Sequence, residues 1–420
     1  MFDSRKVRRQ FEEECTACGL CVECCPIVSH TELKGADSKK IMGEILDLFQ
    51  HKKIGSLART RIYSCLYCNT CATHCPKALY PAHGFFVGKA ILQELGDPVP
   101  KGISSILKFF GGLIENAVTS FRQDPEKSDW LITDVRKRRA KTCQTVLFSS
   151  CFGLIEGRVL NTTVKILQRI DPAVKVLGGF NYCCGELHLI AGRPEQAKIQ
   201  FDKMIDGLNT LSPEHVVIFC PTCNMNFEGH HPDAKWKRTF ITDFIAGHLD
   251  KIGPLNRVEA TVTVHDPCHF VRGVKPGSES PREILSAIPG VKIVEMENTG
   301  KNALSCGAYA LNGAVKAGLE FRDRRLNQAK ATGADILSFY CPGCHMVLGP
   351  EGPNKSLRIE SILSLLGECL GIINPPRPHA PRRVPDSPEP NMNTGLTLPL
   401  KGRVSPVFYS GGREIVVPSQ

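Results

Sequence analysis

The chain has 420 residues, enough for two or three domains with cores of their own, and its 42% hydrophobic and 22% charged content is ordinary for a globular protein. Its formal charge of +10 is spread out, and the basic runs at Arg5–Arg9 and Arg136–Lys141 lack the interleaved aromatics of a base-stacking platform, so no nucleic-acid partner is expected. Twenty cysteines, many at C-x2-C spacing in a chain too large to need staples, argue for metal and against a disulfide framework. Glu12–Glu14 stand where a signal peptide needs an apolar region, and no apolar run is long enough to span a bilayer. The expectation is a cytoplasmic protein that reaches the inner face of the cell membrane, if at all, through a partner subunit.

The first chemistry in the chain is a repeated cysteine motif. Cys15, Cys18, Cys21 and Cys25-Pro26 follow C-x2-C-x2-C-x3-C-P, and Cys65, Cys68, Cys71 and Cys75-Pro76 repeat it. This is the two-cluster bacterial ferredoxin spacing, in which three thiolates of one tight loop hold one cube and the fourth ligates the other. Cluster one is therefore assigned Cys15, Cys18, Cys21 and Cys75, and cluster two Cys65, Cys68, Cys71 and Cys25. Zinc ribbons need four cysteines, not two proline-terminated sets of four. Cys24 is surplus and is read as a small buried residue.

Between the motifs, Ile41, Ile45, Leu48, Phe49, Ile54, Leu57 and Ile62 keep helical spacing over Ser38–Arg61, and His83–Leu95 adds a closing helix. An insert of this length points to an all-α ferredoxin at residues 1–100. Residues 101–141 read as an amphipathic, basic connector, with Ile103 to Phe121 at helical period and a break at Asp124-Pro125. Its apolar face packs on its own domain or supports peripheral membrane association.

From Thr142 the chain repeats itself with a period of about 120 residues. Thr145–Phe148 leads to Cys151, and Thr261–Val264 to Cys268. Cys183-Cys184-Gly185 is matched by Ser305-Cys306-Gly307, and Val216–Phe219 with Cys220-Pro-Thr-Cys223 by Ile336–Phe339 with Cys341-Pro-Gly-Cys344. Helical stretches at Pro194–Leu208 and Ala314–Thr332 intervene, so each copy reads as an α/β unit with parallel strands and cysteines at the carboxyl edge. The two copies, residues 142–250 and 251–372, are expected to face one cleft as a pseudo-two-fold pair. Vicinal cysteines do not readily bridge each other, whereas two adjacent thiolates reach neighbouring metals of one cluster.

The order Cys, Cys-Cys-Gly, C-x-x-C resembles the cysteine-rich CCG domain of the heterodisulfide reductase family, and tandem copies after a two-cluster ferredoxin resemble its D subunit. The same layout occurs in iron–sulfur subunits of anaerobic glycerol-3-phosphate dehydrogenase and glycolate oxidase. The resemblance implies a non-cubane 4Fe–4S cluster on Cys151, Cys183, Cys184, Cys220 and Cys223, where a disulfide is opened by two electrons. In the second copy Ser305 replaces a thiolate, leaving Cys268, Cys306, Cys341 and Cys344 for a further Fe–S cluster or zinc, flanked by His265 and His345. The expected function is an iron–sulfur oxidoreductase subunit that handles a small thiol/disulfide couple. The alternative is a non-catalytic relay between a flavoprotein dehydrogenase and a membrane quinone or cytochrome b-type partner. No flavin or dinucleotide fingerprint is present, so electrons come from another redox subunit. His188 and His269 are proton-delivery candidates whose ordinary reading is structural.

After Ile373 the chain turns proline-rich, an extended tail over 373–420 with a hairpin expected around Gly411-Gly412. Cys143 and Cys369 fall outside every motif and read as buried thiols.

Overall fold

The computed structural model describes residues 3–106, 130–137, 143–228, 236–273, 277–349 and 357–374, with two short strands at 409–410 and 413–414. Residues 3–106 are helical and carry no strand. Asp3 caps the first helix, Ser4–Glu14, by accepting from the backbone N–H groups of Arg5 and Lys6 at 3.0 Å each. Helices Ser38–His51, Ser56–Tyr63 and Pro81–Glu94 pack around Phe11, Ile41, Ile45, Phe49, Ile62 and Phe85.

The helical period over 38–61 is carried by two helices rather than one. Lys52 takes a left-handed conformation (φ 55°) and ends the first. The Glu44 carboxylate then accepts from Leu57 N–H at 2.8 Å and Ala58 N–H at 3.1 Å, starting the second. Gly55 leaves room for this contact, since a Cβ there would press on the Glu44 carboxylate.

The remaining strands are β1 (Leu131–Ile132), β2 (Thr145–Ser149), β3 (Lys175–Gly178), β4 (His215–Ile218) and β5 (Lys237–Phe240), then β6 (Ala260–His265), β7 (Val291–Ile293), β8 (Ile336–Phe339) and β9 (Arg358–Ser361). They form two all-parallel sheets, β1-β3-β2-β4-β5 and β7-β6-β8-β9. Apart from β1, the two orders are the same, so the sequence repeat is a repeat of one α/β unit. The central strands β2, β4, β6 and β8 are largely buried and apolar, as strands covered on both faces must be.

β1 comes from the stretch read as connector. Trp130–Ile132 packs on the first core, and Val135 N–H donates to the Tyr182 hydroxyl at 3.0 Å. Two residues are too short to leave a strand signature. Lys101–Ile106 is helical, whereas the rest of the amphipathic stretch, Asp124-Pro125 and Arg138–Lys141 lie outside the described residues.

The copies pack crosswise. The Gly157–Ile170 helix meets Ile362–Cys369, and its counterpart Glu279–Ser286 meets Ile241–Ala246. Likewise Pro221–Glu228 meets Cys268–Val271, while Pro342–Leu348 meets Ser150–Ile155. The two copies therefore face each other across a seam. No helix of the described residues is long and apolar enough to cross a membrane. In the tail, Tyr409–Ser410 (β10) pairs antiparallel with Arg413–Glu414 (β11), while Gly411-Gly412 and the proline-rich segment lie outside the described residues.

Candidate metal centres

Both ferredoxin-type loops are bent by the same backbone device. In the first, Ala17 (φ 49°) and Gly19 (φ 85°) flank Cys18, and in the second, Tyr67 (φ 50°) and Asn69 (φ 59°) flank Cys68. Left-handed residues on either side of the middle cysteine curl three thiols around one point, and strain of this kind collects at functional sites. One pocket is lined by Cys15, Cys18, Cys21 and Cys75, with Phe11 and Met42 beside them. Cys15 accordingly has Cys75 and Cys18 as electrostatic neighbours. In the second set, Cys71 has Cys65, Cys68 and Cys25 as its thiol neighbours. Cys75 thus lies with the first set of thiols and Cys25 with the second.

These donor sets fit cubic clusters. Burial pushes the Cys21 thiol up to about 12 and the Cys65 thiol up to about 11, with Arg61 opposing both shifts. Such thiols give up their protons to a metal rather than to water. Tyr67 N–H already points at Cys65 Sγ at 3.3 Å, a donor of the kind cluster sulfurs accept.

In the repeated units every motif cysteine is buried, and Cys151, Cys220, Cys268 and Cys341 come shortly after strand ends. Cys151 lies just past β2, in the Ser150–Ile155 helix, and its Sγ is 3.8 Å from that of Cys183. Cys184 interacts with Cys223, and Cys223 with Cys220, so all five thiols gather at one site. Gly185 is obligatory: φ is +85°, and a Cβ would sit 2.5 Å from the Ala197 carbonyl oxygen. Gly307 (φ +87°) does the same against Gly318.

The sequence comparisons agree with this geometry. The family model described as a cysteine-rich domain, CCG, matches residues 143–228 and 262–349, and a 4Fe-4S dicluster domain matches 12–79. Two CCG domains thus follow a 4Fe-4S dicluster domain in this chain. It is 27% identical over 399 residues to the D subunit of the dihydromethanophenazine:CoB–CoM heterodisulfide reductase of Methanosarcina mazei, covering 86% of this chain and 94% of that protein. The B subunit of the fumarate reductase (CoM/CoB) of Methanothermobacter marburgensis is 24% identical, over 87% of this chain and 72% of that protein. A probable iron-sulfur-binding oxidoreductase of Bacillus subtilis is 22% identical, over 75% and 47% respectively. These relatives make the chain an iron–sulfur oxidoreductase subunit.

In the second CCG unit Ser305 takes the place of Cys183. Its Oγ lies 4.0 Å from Cys268 Sγ and accepts from Gly307 N–H at 3.3 Å. Cys306 and Cys344 lie together with His265, their ligand atoms all within 4.8 Å of one another, and Cys341 adjoins Cys344. The flanking His345 faces away to Glu156, with Nδ1 at 2.6 Å from Oε2. The first and second units meet through the Cys220 and Cys341 thiols, which interact across the seam.

The ferredoxin part of the chain docks on both units. Arg272 Nε donates to the Cys68 carbonyl at 2.6 Å, and Cys268 packs with Cys25 and Cys68. Lys89 Nζ donates to the Ile190 carbonyl at 3.0 Å, and Gln93 to that of Ala191 at 2.7 Å. His269 is a buried strut, with Nε2 at 2.8 Å from the Tyr67 carbonyl and Nδ1 at 2.8 Å from Thr222 Oγ1. This supports its structural reading. His188 is part-exposed, and burial followed by the nearby Arg193 lowers its pKa. Cys143 and Cys369 are buried as expected, whereas Cys24 is only part-buried.

Among the buried charges that escaped the sequence reading, two lie beside the cysteine sites. Glu186 follows the Cys-Cys-Gly, and its carboxylate accepts from Asn226 Nδ2 and Tyr309 OH, both at 3.0 Å. The same Asn226 amide lies 3.5 Å from Cys184 Sγ. Burial raises the Glu186 pKa, although His269 and these hydrogen bonds oppose it. The acidic residue beside a cysteine motif was the available signal. Arg61 is the other, 1% exposed inside the ferredoxin helices.

Proposed function

We propose that the chain passes electrons through two 4Fe–4S clusters, on Cys15/Cys18/Cys21/Cys75 and Cys65/Cys68/Cys71/Cys25. They run to or from a non-cubane 4Fe–4S cluster on Cys151, Cys183, Cys184, Cys220 and Cys223, which handles a small thiol/disulfide couple. The observation that carries this reading is packing: Cys151 and Cys183 share one buried core with Cys21, Cys65 and Cys71. Relatives whose names include heterodisulfide reductase support the substrate class. Bound clusters would supply one-electron steps and, at the five-cysteine site, iron with an affinity for sulfur.

The chain's own residues then have defined work. The left-handed loop residues orient the thiolates, Tyr67 N–H donates to Cys65, and Asn226 ties Cys184 to Glu186. Glu186, buried two residues from Cys184, holds its proton above the usual carboxylate range beside a sulfur that gains charge on reduction. Partners are a flavoprotein or a membrane protein of the cytochrome b type that exchanges electrons with the ferredoxin part. Ser305 favours a second reading, in which the chain only relays electrons between such partners.

Electron paramagnetic resonance on anaerobically purified protein separates the two. A paramagnetic signal that appears on oxidation with added thiol and is lost in Cys184→Ser supports the thiol/disulfide site. Reduced-cube signals alone, indifferent to thiols, leave the relay.

A further inference from the structure

Arg61 sits near the end of the Ser56–Tyr63 helix with its guanidinium 4.5 Å over the Phe85 ring. Its neighbour Arg59 is an ordinary surface cation, paired with Asp97 at 2.7 Å. Arg61 has no carboxylate partner among the described residues, and its Nε and Nη1 make no hydrogen bond there. The groups that act on its charge are Cys25, Cys65, Cys71 and Cys21, in that order. An arginine stays protonated in any protein, and a buried cation without a counter-charge is costly. The missing partner must be anionic and must lie among those thiols. A cube held by four thiolates is an anion in both of its ordinary redox states, and its sulfurs accept N–H donors.

The placement is lopsided. Three of the four thiols belong to the Cys65/Cys68/Cys71/Cys25 set and one to the other. Cys65, Cys68 and Cys71 are buried, with Cys25 part-exposed, and Cys68 packs beside Cys268, whereas Cys15, Cys18 and Cys75 are part-exposed, with Cys21 buried. Desolvation by itself would make the inner cluster the harder one to reduce, because added negative charge is less well solvated there. A fixed buried cation acts in the opposite sense.

We propose that Arg61 is the built-in counter-charge of the inner ferredoxin cluster, donating N–H groups to its sulfurs and holding its potential above that of the outer cluster. An electron received at the part-exposed outer site then comes to rest beside the CCG units. This rests on the two-cluster reading above, and it makes Arg61 a tuning residue rather than a ligand.

The test is a redox titration of the two cube signals in the anaerobic full-length protein, with Arg61→Gln and Arg61→Lys. A Cys15→Ser background, lacking the outer cluster, assigns the signals. Arg61→Gln should lower the inner potential by more than a tenfold change in its one-electron equilibrium, about 59 mV, and move the outer one less. Arg61→Lys should keep the wild-type order. If Arg61→Gln loads no inner cluster while Arg61→Lys does, the need for charge is likewise supported. Unchanged potentials, equal shifts in both clusters, or loss of iron in both variants would overturn the proposal. Absence of cube signals in the wild type would sink the ferredoxin reading instead.

Discussion

Arg325 Nε donates to Nδ1 of His265 at 2.9 Å, and neither residue is exposed. Arginine never accepts, so Nδ1 is the acceptor and the proton of the neutral ring is on Nε2. Burial lowers the His265 pKa, which keeps the ring neutral. Nδ1 is thereby committed, whereas Nε2 makes no hydrogen bond among the described residues and lies within reach of Cys306 and Cys344; carrying the proton, it is not poised as a metal ligand. A zinc site of the three-cysteine, one-histidine type is disfavoured here. His265→Ala is expected to weaken metal at the second CCG site about tenfold without abolishing it, the ordinary effect of losing an outer partner. Cys306→Ser should abolish it. Iron and zinc per chain check this, and loss of one equivalent of zinc in His265→Ala would make His265 a ligand.

Ser305 preserves the geometry of the residue it replaces. The 4.0 Å from its Oγ to Cys268 matches the 3.8 Å between Cys183 and Cys151. Ser305→Cys should therefore complete a second five-thiol site without repacking. The expected outcome is more iron per chain after anaerobic reconstitution and a second thiol-dependent paramagnetic signal. Unchanged iron would mean that something other than the missing thiolate distinguishes the two sites.

Where thiols are grouped by a local motif, the sequence was enough to expect the grouping. C-x2-C-x2-C-x3-C-P places four thiols on one loop whatever surrounds it, and β-branched runs such as Thr145–Phe148 and Thr261–Val264 became the strands expected of them. The break at Lys52 was hidden because the apolar period continues across it. Arg61 and Glu186 were hidden for a different reason. In Ser-Leu-Ala-Arg-Thr-Arg-Ile-Tyr both arginines look solvated, and only the covering helix with Phe85 decides that Arg61 is buried and Arg59 is not.

The glycine after each cysteine pair is a steric requirement. Gly185→Ala forces an alanine to φ +85° and drives its Cβ against the Ala197 carbonyl. A strained residue of this kind costs about 1–3 kcal/mol. The displaced Pro194–Leu211 helix should also pull on Cys184, so Gly185→Ala should lower both the thermal midpoint and the iron retained by the first CCG unit. A midpoint within error of the wild type would show that the loop relaxes.

The carboxylates around Arg282 should make stability fall in acid. Burial works against ionised Asp266, but Arg282 Nη2 at 2.9 Å, Gly300 N–H at 2.8 Å and Thr299 Oγ1 at 3.0 Å hold its pKa below the usual range. Glu295 is held down chiefly by its hydrogen bond to Arg282. Both folded values lie below the unfolded ones, near about 4. Their stabilisation is present above that pH and is lost as pH falls through the folded values. Asp266→Asn breaks the buried pair and should cost about 3 kcal/mol at neutral pH. It should also flatten the acid limb of stability. Thermal unfolding followed from about pH 7 down to about pH 3 tests both: the wild type should lose more of its midpoint over that range than Asp266→Asn, and parallel curves would rule out Asp266 as the group that acid discharges.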